Sequence, residues 1–189
     1  AVLGLNPYKT NIELYLEKTG QRMAPDISDK DYVTYGHDAE PLLRSLFALD
    51  HPEYKVEYFG DNMIRNEKHP WAHASLDGEL TDQDGRKGIL EIKTTNILQS
   101  MQREKWNDRI PDNYYIQVLH YLLVTEYDFV ELRAQLKSEW QGQIRLQTKD
   151  YHIERSDVEE DIEILRQAEE EFWQKVEKRQ QPHLILPEI

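Results

Sequence analysis

Cysteine is missing from the 189-residue chain, which excludes disulfides and thiolate metal centres and fits a reducing cytoplasm. No stretch approaches the ~20 consecutive apolar residues that a membrane-crossing helix requires, and no signal-peptide pattern opens the chain. Cations are in deficit. Against 36 Asp and Glu there are 23 Lys and Arg, a net charge of −13. That balance argues against a general nucleic-acid coat, whose binding to phosphate is driven by lysine and arginine, but leaves room for an enzyme that grips DNA in one local groove. Low-complexity tracts, internal repeats and linkers are absent too, so residues 1–189 read as one domain. With 39% hydrophobic and 10% aromatic residues the chain is globular rather than disordered. Ala1 in place of Met suggests a natural start further upstream.

What is present falls into a mixed order of elements. "TNIELYLEKTG" carries a capping box, Thr10 with Glu13, and closes on Gly20 as a helix-ending residue. "GHDAEPLLRSLFALD" predicts a second helix with a broad apolar stripe of Leu42, Leu43, Leu46, Phe47 and Leu49. Pro41 belongs in a first turn, which puts Glu40 near that helix's start. Val56, Tyr58 and Met63 suggest one strand. "AHASLDGEL" and "KGILEIKTT" predict two more, joined by a hairpin turn at Asp84-Gly85. "DNYYIQVLHYLLVTEYDF" predicts a helix in which Gln117 and Tyr121 stack four apart, with Tyr114, Val118, Tyr121 and Leu122 lining one face. "FVELRAQL" and "GQIRLQTKDYHI" predict further strands. Val158, Ile162, Leu165, Phe172 and Val176 mark an amphipathic C-terminal helix over about 156–179, rich in acid. The expected class is α/β.

Within "GILEIKTT", Glu91 and Lys93 share one strand face while Leu90 and Ile92 anchor the other. A hairpin centred on Asp84 brings Asp77 roughly opposite Glu91. Two carboxylates held this close repel unless a cation lies between them. Oxygen donors without cysteine select hard cations, Mg²⁺ or Mn²⁺, and Mg²⁺ favours one or two carboxylates, water and substrate phosphate. A lysine beside such an ion can orient a water or neutralise charge on a phosphoryl oxygen. The spacing points to metal-assisted hydrolysis of a phosphodiester. A Glu-x-Lys pair taken alone equally describes a surface ion pair; Asp77, Glu40 and Gln117 tilt the balance.

"SLDGEL…GILEIKTT" resembles the core of the PD-(D/E)XK nuclease superfamily. "GHDAEPLL", "IPDNYYIQVLHYLLVT", the opening "LGLNPYKTNIELYLEKTG" and the late "EFW" narrow the resemblance to its lambda-exonuclease-like, YqaJ-type viral recombinases. It covers nearly the whole chain. The resemblance implies a restriction-endonuclease-like core, a central mixed β-sheet flanked by helices. It implies a Mg²⁺-dependent exonuclease, with Mn²⁺ as a substitute, that degrades one strand of duplex DNA ends 5′ to 3′ and hands the 3′ overhang to a single-strand annealing protein. By the same resemblance Asp77, Glu91 and the Ile92 carbonyl hold a first metal and Glu40 lies near a second. Lys93 poises the attacking water, Gln117 orients it, and Ser75 contacts a terminal 5′-phosphate. It further implies a trimeric ring around DNA and a phage or prophage protein in a bacterial cytoplasm. The arginine and Gly-Ser-Asp segment that usually precede "LGLNPY" are missing from this sequence, which puts preference for 5′-phosphorylated ends in doubt. An endonuclease or nickase of the same superfamily, and a silent DNA-binding scaffold, remain open alternatives.

Other residues are weighed on their own chemistry. Arg103, Lys105 and Arg109 surround Trp106 and could contact DNA backbone, with the indole on a sugar or base; a solvated helix with a buried tryptophan is as good a reading. Tyr121 joins the DNA-facing set by its place beside Gln117. His69 and His73 are four apart, but Pro70 between them argues against a helical zinc pair. His73 alternates with Ser75 and Asp77 and could line the site, although a structural role suits it better. His120 reads as packed or hydrogen-bonded. Phe172 and Trp173 are adjacent and cannot both face inward.

Overall fold

The computed structural model describes residues 1–60, 63–98 and 100–186. Its centre is a five-stranded mixed sheet in the order β1-β4-β5-β6-β7: β1 (Lys55–Glu57), β4 (Gly78–Thr81), β5 (Lys87–Ile97), β6 (Phe129–Trp140) and β7 (Gln143–Glu154). β5 and β6 run parallel, and the remaining pairs are antiparallel. β2 (Met63–Arg65) and β3 (His73–Ser75) form a separate two-stranded ribbon. Helices α1 (Asn11–Lys18), α2 (Asp31–Asp50), α3 (Ser100–Glu104), α4 (Asp112–Thr125) and α5 (Glu159–Glu177) complete the domain. The expected α/β class with helices around a mixed sheet is the class observed.

Alternation along the parallel pair sorts two cores. Ile89, Val130, Leu132, Ala134 and Leu136 face α4 and α5 and are sealed by Val118, Leu119, Leu122, Ile162 and Leu165. Leu80, Leu90, Ile92 and Phe129 face the other way, onto Ala39, Leu43 and Phe47 of α2. Gly88 is required between them. A Cβ there would sit 2.2 Å from the Phe129 ring, which stacks on Tyr54 and His152.

α1 keeps its capping box, with the Thr10 hydroxyl accepting from the Glu13 amide, and Gly20 turns out at φ +72°. Several expectations change. α2 begins at Asp31, nine residues earlier than Glu40, and contains Pro41 in its interior. The proline is solvent-facing, so its ring and missing N–H cost one backbone bond, while burial of Ala39, Leu43 and Phe47 on the opposite side keeps the helix running. Of the expected apolar stripe only Leu43 and Phe47 are buried; Leu42, Leu46 and Leu49 are exposed. The single strand through Val56, Tyr58 and Met63 is two strands in two sheets, and "AHASLDGEL" likewise breaks after Ser75. α4 also ends at Thr125, where Glu126 adopts a left-handed cap. α5 is slightly shorter than expected, with Phe172 buried and Trp173 partly covered.

Candidate active site

β4 pairs with β5 only from Thr81↔Lys87 to Gly78↔Leu90. Beyond Leu90, β5 has no strand on that side among the described residues, and its free edge opens a cleft of about 290 Å³. Gly36 and Glu40 of α2, Asp77, Glu91 to Thr94 of β5, and Gln117 and Tyr121 of α4 line it. Gly36 lets α2 come close: a Cβ there would be 3.2 Å from the Thr94 hydroxyl oxygen.

The hairpin register continues to place Asp77 beside Glu91, as the turn at Asp84-Gly85 (Gly85 φ +81°) predicts. Asp77 is fixed because its carboxylate accepts from the Ile92 amide at 2.8 Å. Glu91 is 1% exposed. Its Oε1 accepts from Lys93 Nζ at 2.5 Å and from Gln117 Nε2 at 3.0 Å, while its Oε2 is buried with no hydrogen-bond partner. Gln117 Nε2 also reaches the Tyr121 hydroxyl at 2.8 Å, so one amide ties the helix pair to the strand carboxylate. Lys93 Nζ lies 5.1 Å from the Tyr114 ring centroid.

Electrostatics follow from burial and crowding. Desolvation, then the charge of Glu91, pushes the Asp77 carboxyl up to about 8. Burial likewise raises Glu91, against the pull of Lys93. For Lys93 burial works to lower the pKa, but the Glu91 charge outweighs it and the ammonium is retained. Burial, with Glu91 behind it, pushes the Tyr121 phenol up to about 12. The pocket is thus short of positive charge by its own chemistry, since one ammonium faces two buried carboxylates.

The unpartnered Glu91 oxygen, next to a second carboxylate and the Ile92 backbone, fits a hard cation that takes one or two carboxylates and keeps its waters. Among the described residues no three His, Cys, Asp or Glu side chains converge as a ready-made metal cluster. Glu40 lines the same cleft but is engaged elsewhere. Its carboxylate is held by Arg44 at 2.5 Å, one turn along α2, rather than by the Asp77–Glu91 pair. Arg44 also donates to the Asp77 backbone carbonyl at 2.6 Å and stacks 3.6 Å over Tyr58. Sequence reading missed Arg44, although its four-residue spacing from Glu40 on a helix was a visible signal.

Other expected site residues scatter. Ser75 is exposed on β3, opposite Met63 in the small ribbon. It does not share a strand with Asp77, because the chain changes sheets between them, and the same holds for His73. Arg103, Lys105 and Arg109 are solvent-exposed around α3, whereas Trp106 is 2% exposed in the main core. The indole therefore packs inside the protein and offers no face to a base. His120 is bonded on both ring nitrogens, to Glu169 of α5 at 2.9 Å and to the His73 carbonyl at 3.1 Å. A larger cavity of about 400 Å³ shares Gln117 with the cleft and lies between α4 and the opening segment that contributes Leu3, Leu5 and Tyr8.

With this geometry in place, relatives become informative. Residues 1–128 match the YqaJ-like viral recombinase domain. The chain is also 33% identical over 182 residues to the uncharacterized protein YqaJ of Bacillus subtilis (strain 168), an alignment covering 91% of this chain. The chain belongs to the YqaJ-like viral recombinase family. It spans about half the length of that Bacillus relative, 49%. Among solved structures, the alkaline exonuclease LHK-Exo of Laribacter hongkongensis superposes with a TM-score of 0.58 at 15% identity, over 94% of this chain and 87% of that one. The same exonuclease in complex with dAMP superposes with a TM-score of 0.56 at 16% identity, with the same coverage. At such identities the likeness establishes the fold that the YqaJ-like chain shares. The YqaJ-like fold has no described helix long and apolar enough to cross a membrane.

Proposed function

We propose that this YqaJ-like protein is a Mg²⁺-dependent exonuclease acting on linear double-stranded DNA, with Mn²⁺ able to substitute. The observation that carries the proposal is the buried, unpartnered Oε2 of Glu91 beside the Asp77 carboxylate, at the edge of a strand that also delivers Lys93. The fold likeness to a protein described as an alkaline exonuclease, one form of which holds dAMP, supports the same reading.

Asp77, Glu91 and the Ile92 carbonyl would hold the first ion, and Glu40 would serve a second once Arg44 swings aside. Bound divalent ions would supply Lewis-acid stabilisation of the attacking and leaving oxygens. Lys93 keeps its proton and lies where it can orient the attacking water and offset charge on a phosphoryl oxygen. Gln117, held by both Glu91 and Tyr121, orients that water or the scissile phosphate. In the overall step the water oxygen bonds to phosphorus, the bond from phosphorus to the 3′ oxygen breaks, and a proton passes to that oxygen. We further propose 5′-to-3′ polarity, a 3′ overhang passed to a single-strand annealing protein, a homotrimeric ring around the duplex, and action in the cytoplasm of a bacterial host of phage or prophage.

The test is digestion of end-labelled linear duplex and covalently closed circles, with Mg²⁺ or with EDTA, using 5′-phosphate and 5′-hydroxyl ends. Stepwise loss of the linear 5′-labelled strand in Mg²⁺ alone, with circles intact, is expected. Nicked or opened circles would identify an endonuclease instead, and intact DNA throughout would leave a silent scaffold.

A further inference from the structure

β6 and β7 remain paired to the last residue before their turn, Trp140↔Gln143, and the turn is two residues long, Gln141 and Gly142, both at positive φ. This is a tight hairpin that stiffens its own tip. Trp140 is six residues beyond Ala134, the β6 partner of Lys93. At 3.3 Å per residue the tip therefore stands about 20 Å past the level of the catalytic strand residues, the length of about six base pairs of duplex.

The faces of this arm differ in chemistry. Paired residues share a face, so Leu132 and Ala134 lie on the same side of the sheet as Glu91 and Lys93. Continuing along that side, the hairpin presents Ser138, Trp140, Gln143, Arg145, Gln147 and Lys149, none of them acidic. Trp140 is 68% exposed, Arg145 is exposed, and exposed Arg103 of α3 reaches in to donate to the Ser138 hydroxyl. Lys149 is engaged with the Trp106 carbonyl, which ties the base of the arm to the α3 loop. Over residues 135–149 Lys137, Arg145 and Lys149 stand against Glu139 alone, in a chain whose net charge is −13. An exposed indole interleaved with arginines and amides, on a stretch that runs against the overall charge, suits a phosphate backbone rather than an acidic or neutral protein surface.

We propose that the β6–β7 hairpin is a duplex-gripping arm. Trp140, Arg145 and Arg103 contact the double-stranded DNA about six base pairs ahead of the bond being cut. A two-stranded ribbon has the width to follow a duplex groove. The proposal rests on the nuclease reading for its substrate, and it explains how an acidic chain stays on DNA between successive cuts.

The test measures binding of the intact chain to a duplex of about 20 base pairs in EDTA, by fluorescence anisotropy across a salt series; each phosphate contact contributes about −0.9 to the slope. Arg103→Gln with Arg145→Gln is expected to weaken binding severalfold and to flatten the log–log salt slope by about two. Duplex should quench tryptophan emission in the parent protein and not in Trp140→Phe. Thermal melting confirms that both variants fold. A parent that digests linear DNA while the double variant keeps its salt slope and affinity would overturn the arm and leave the nuclease reading standing. A parent that binds no DNA would overturn both. A variant that loses a dimer or trimer by light scattering while its salt slope is unchanged would assign the hairpin to contact between copies and overturn the arm.

Discussion

Asp77→Asn should make the metal-free protein more stable while abolishing its chemistry. The parent carboxyl titrates at about 8 against an ordinary value of 3.8, because it is desolvated beside Glu91. An acid whose pKa is raised by folding adds no penalty below its unfolded pKa. The penalty grows as pH rises between the two values and is complete above about 8. A shift of this size corresponds to a ceiling of about 6 kcal/mol, at about 1.4 kcal/mol per pH unit. Water entry and relaxation reduce such penalties severalfold, so about 1–3 kcal/mol is expected. Asparagine keeps an oxygen to accept from the Ile92 amide, so the hairpin stays anchored. For a domain of this length that is a rise in Tm of about 3–10 °C. Thermal melts in EDTA at pH 5 and pH 8.5 read it directly: the variant should gain at pH 8.5 and nearly match the parent at pH 5. Adding Mg²⁺ should raise the parent and not the variant, reversing the order. An Asp77→Asn variant that melts lower than the parent at pH 8.5 in EDTA would refute the electrostatic reasoning.

Lys93→Ala should retain the fold yet lose about 10²–10⁴ in hydrolysis rate, the range for a positioned group acting on the attacking water, measured by release of end label under saturating Mg²⁺. Gly88→Ala should lower Tm by about 3–10 °C, because the added carbon must displace the Phe129 ring and overpacking of that kind costs about 1–3 kcal/mol. Arg133 is 2% exposed and pairs with Asp150 and Asp50 at 2.8 Å, but both carboxylates keep access to water, so Arg133→Ala should cost about 1–3 kcal/mol by chemical denaturation. His120 has its pKa raised: burial works to lower it, but the bond to Glu169 prevails. The stability it adds is complete below the ordinary imidazole value and fades as pH climbs through the raised one. The Tm difference between parent and His120→Gln should therefore shrink from pH 6 to pH 8.5.

Much of this was legible from local rules. The strand Gly88–Thr95 announced two faces by alternation, and the Asp84-Gly85 turn set the register that brings Asp77 to Glu91. Capping at Thr10 and the four-residue step from Gln117 to Tyr121 carried straight into hydrogen bonds. What escaped was decided over longer range. Pro41 signalled a helix start because its own chemistry favours one, yet burial two residues before it and after it overrode the signal. The alternation of His73, Ser75 and Asp77 looked continuous, and nothing local marks where the chain leaves one sheet for another. The pairing of Glu40 with Arg44 went unread, although the two stand four apart on one helix. For Trp106 a DNA contact and a buried ring both stood open, and the packed structure turns the ring inward.

The parallel pairing of β5 and β6 has a consequence for the order in which the cleft is assembled. Parallel neighbours demand a long return path, and here that path contains α4. Gln117 reaches Glu91 from within a crossover of some thirty residues, and parallel pairing closed over such a path is slow to form. A half-made chain thus carries Asp77, Glu91 and Lys93 without the helix that ties them together.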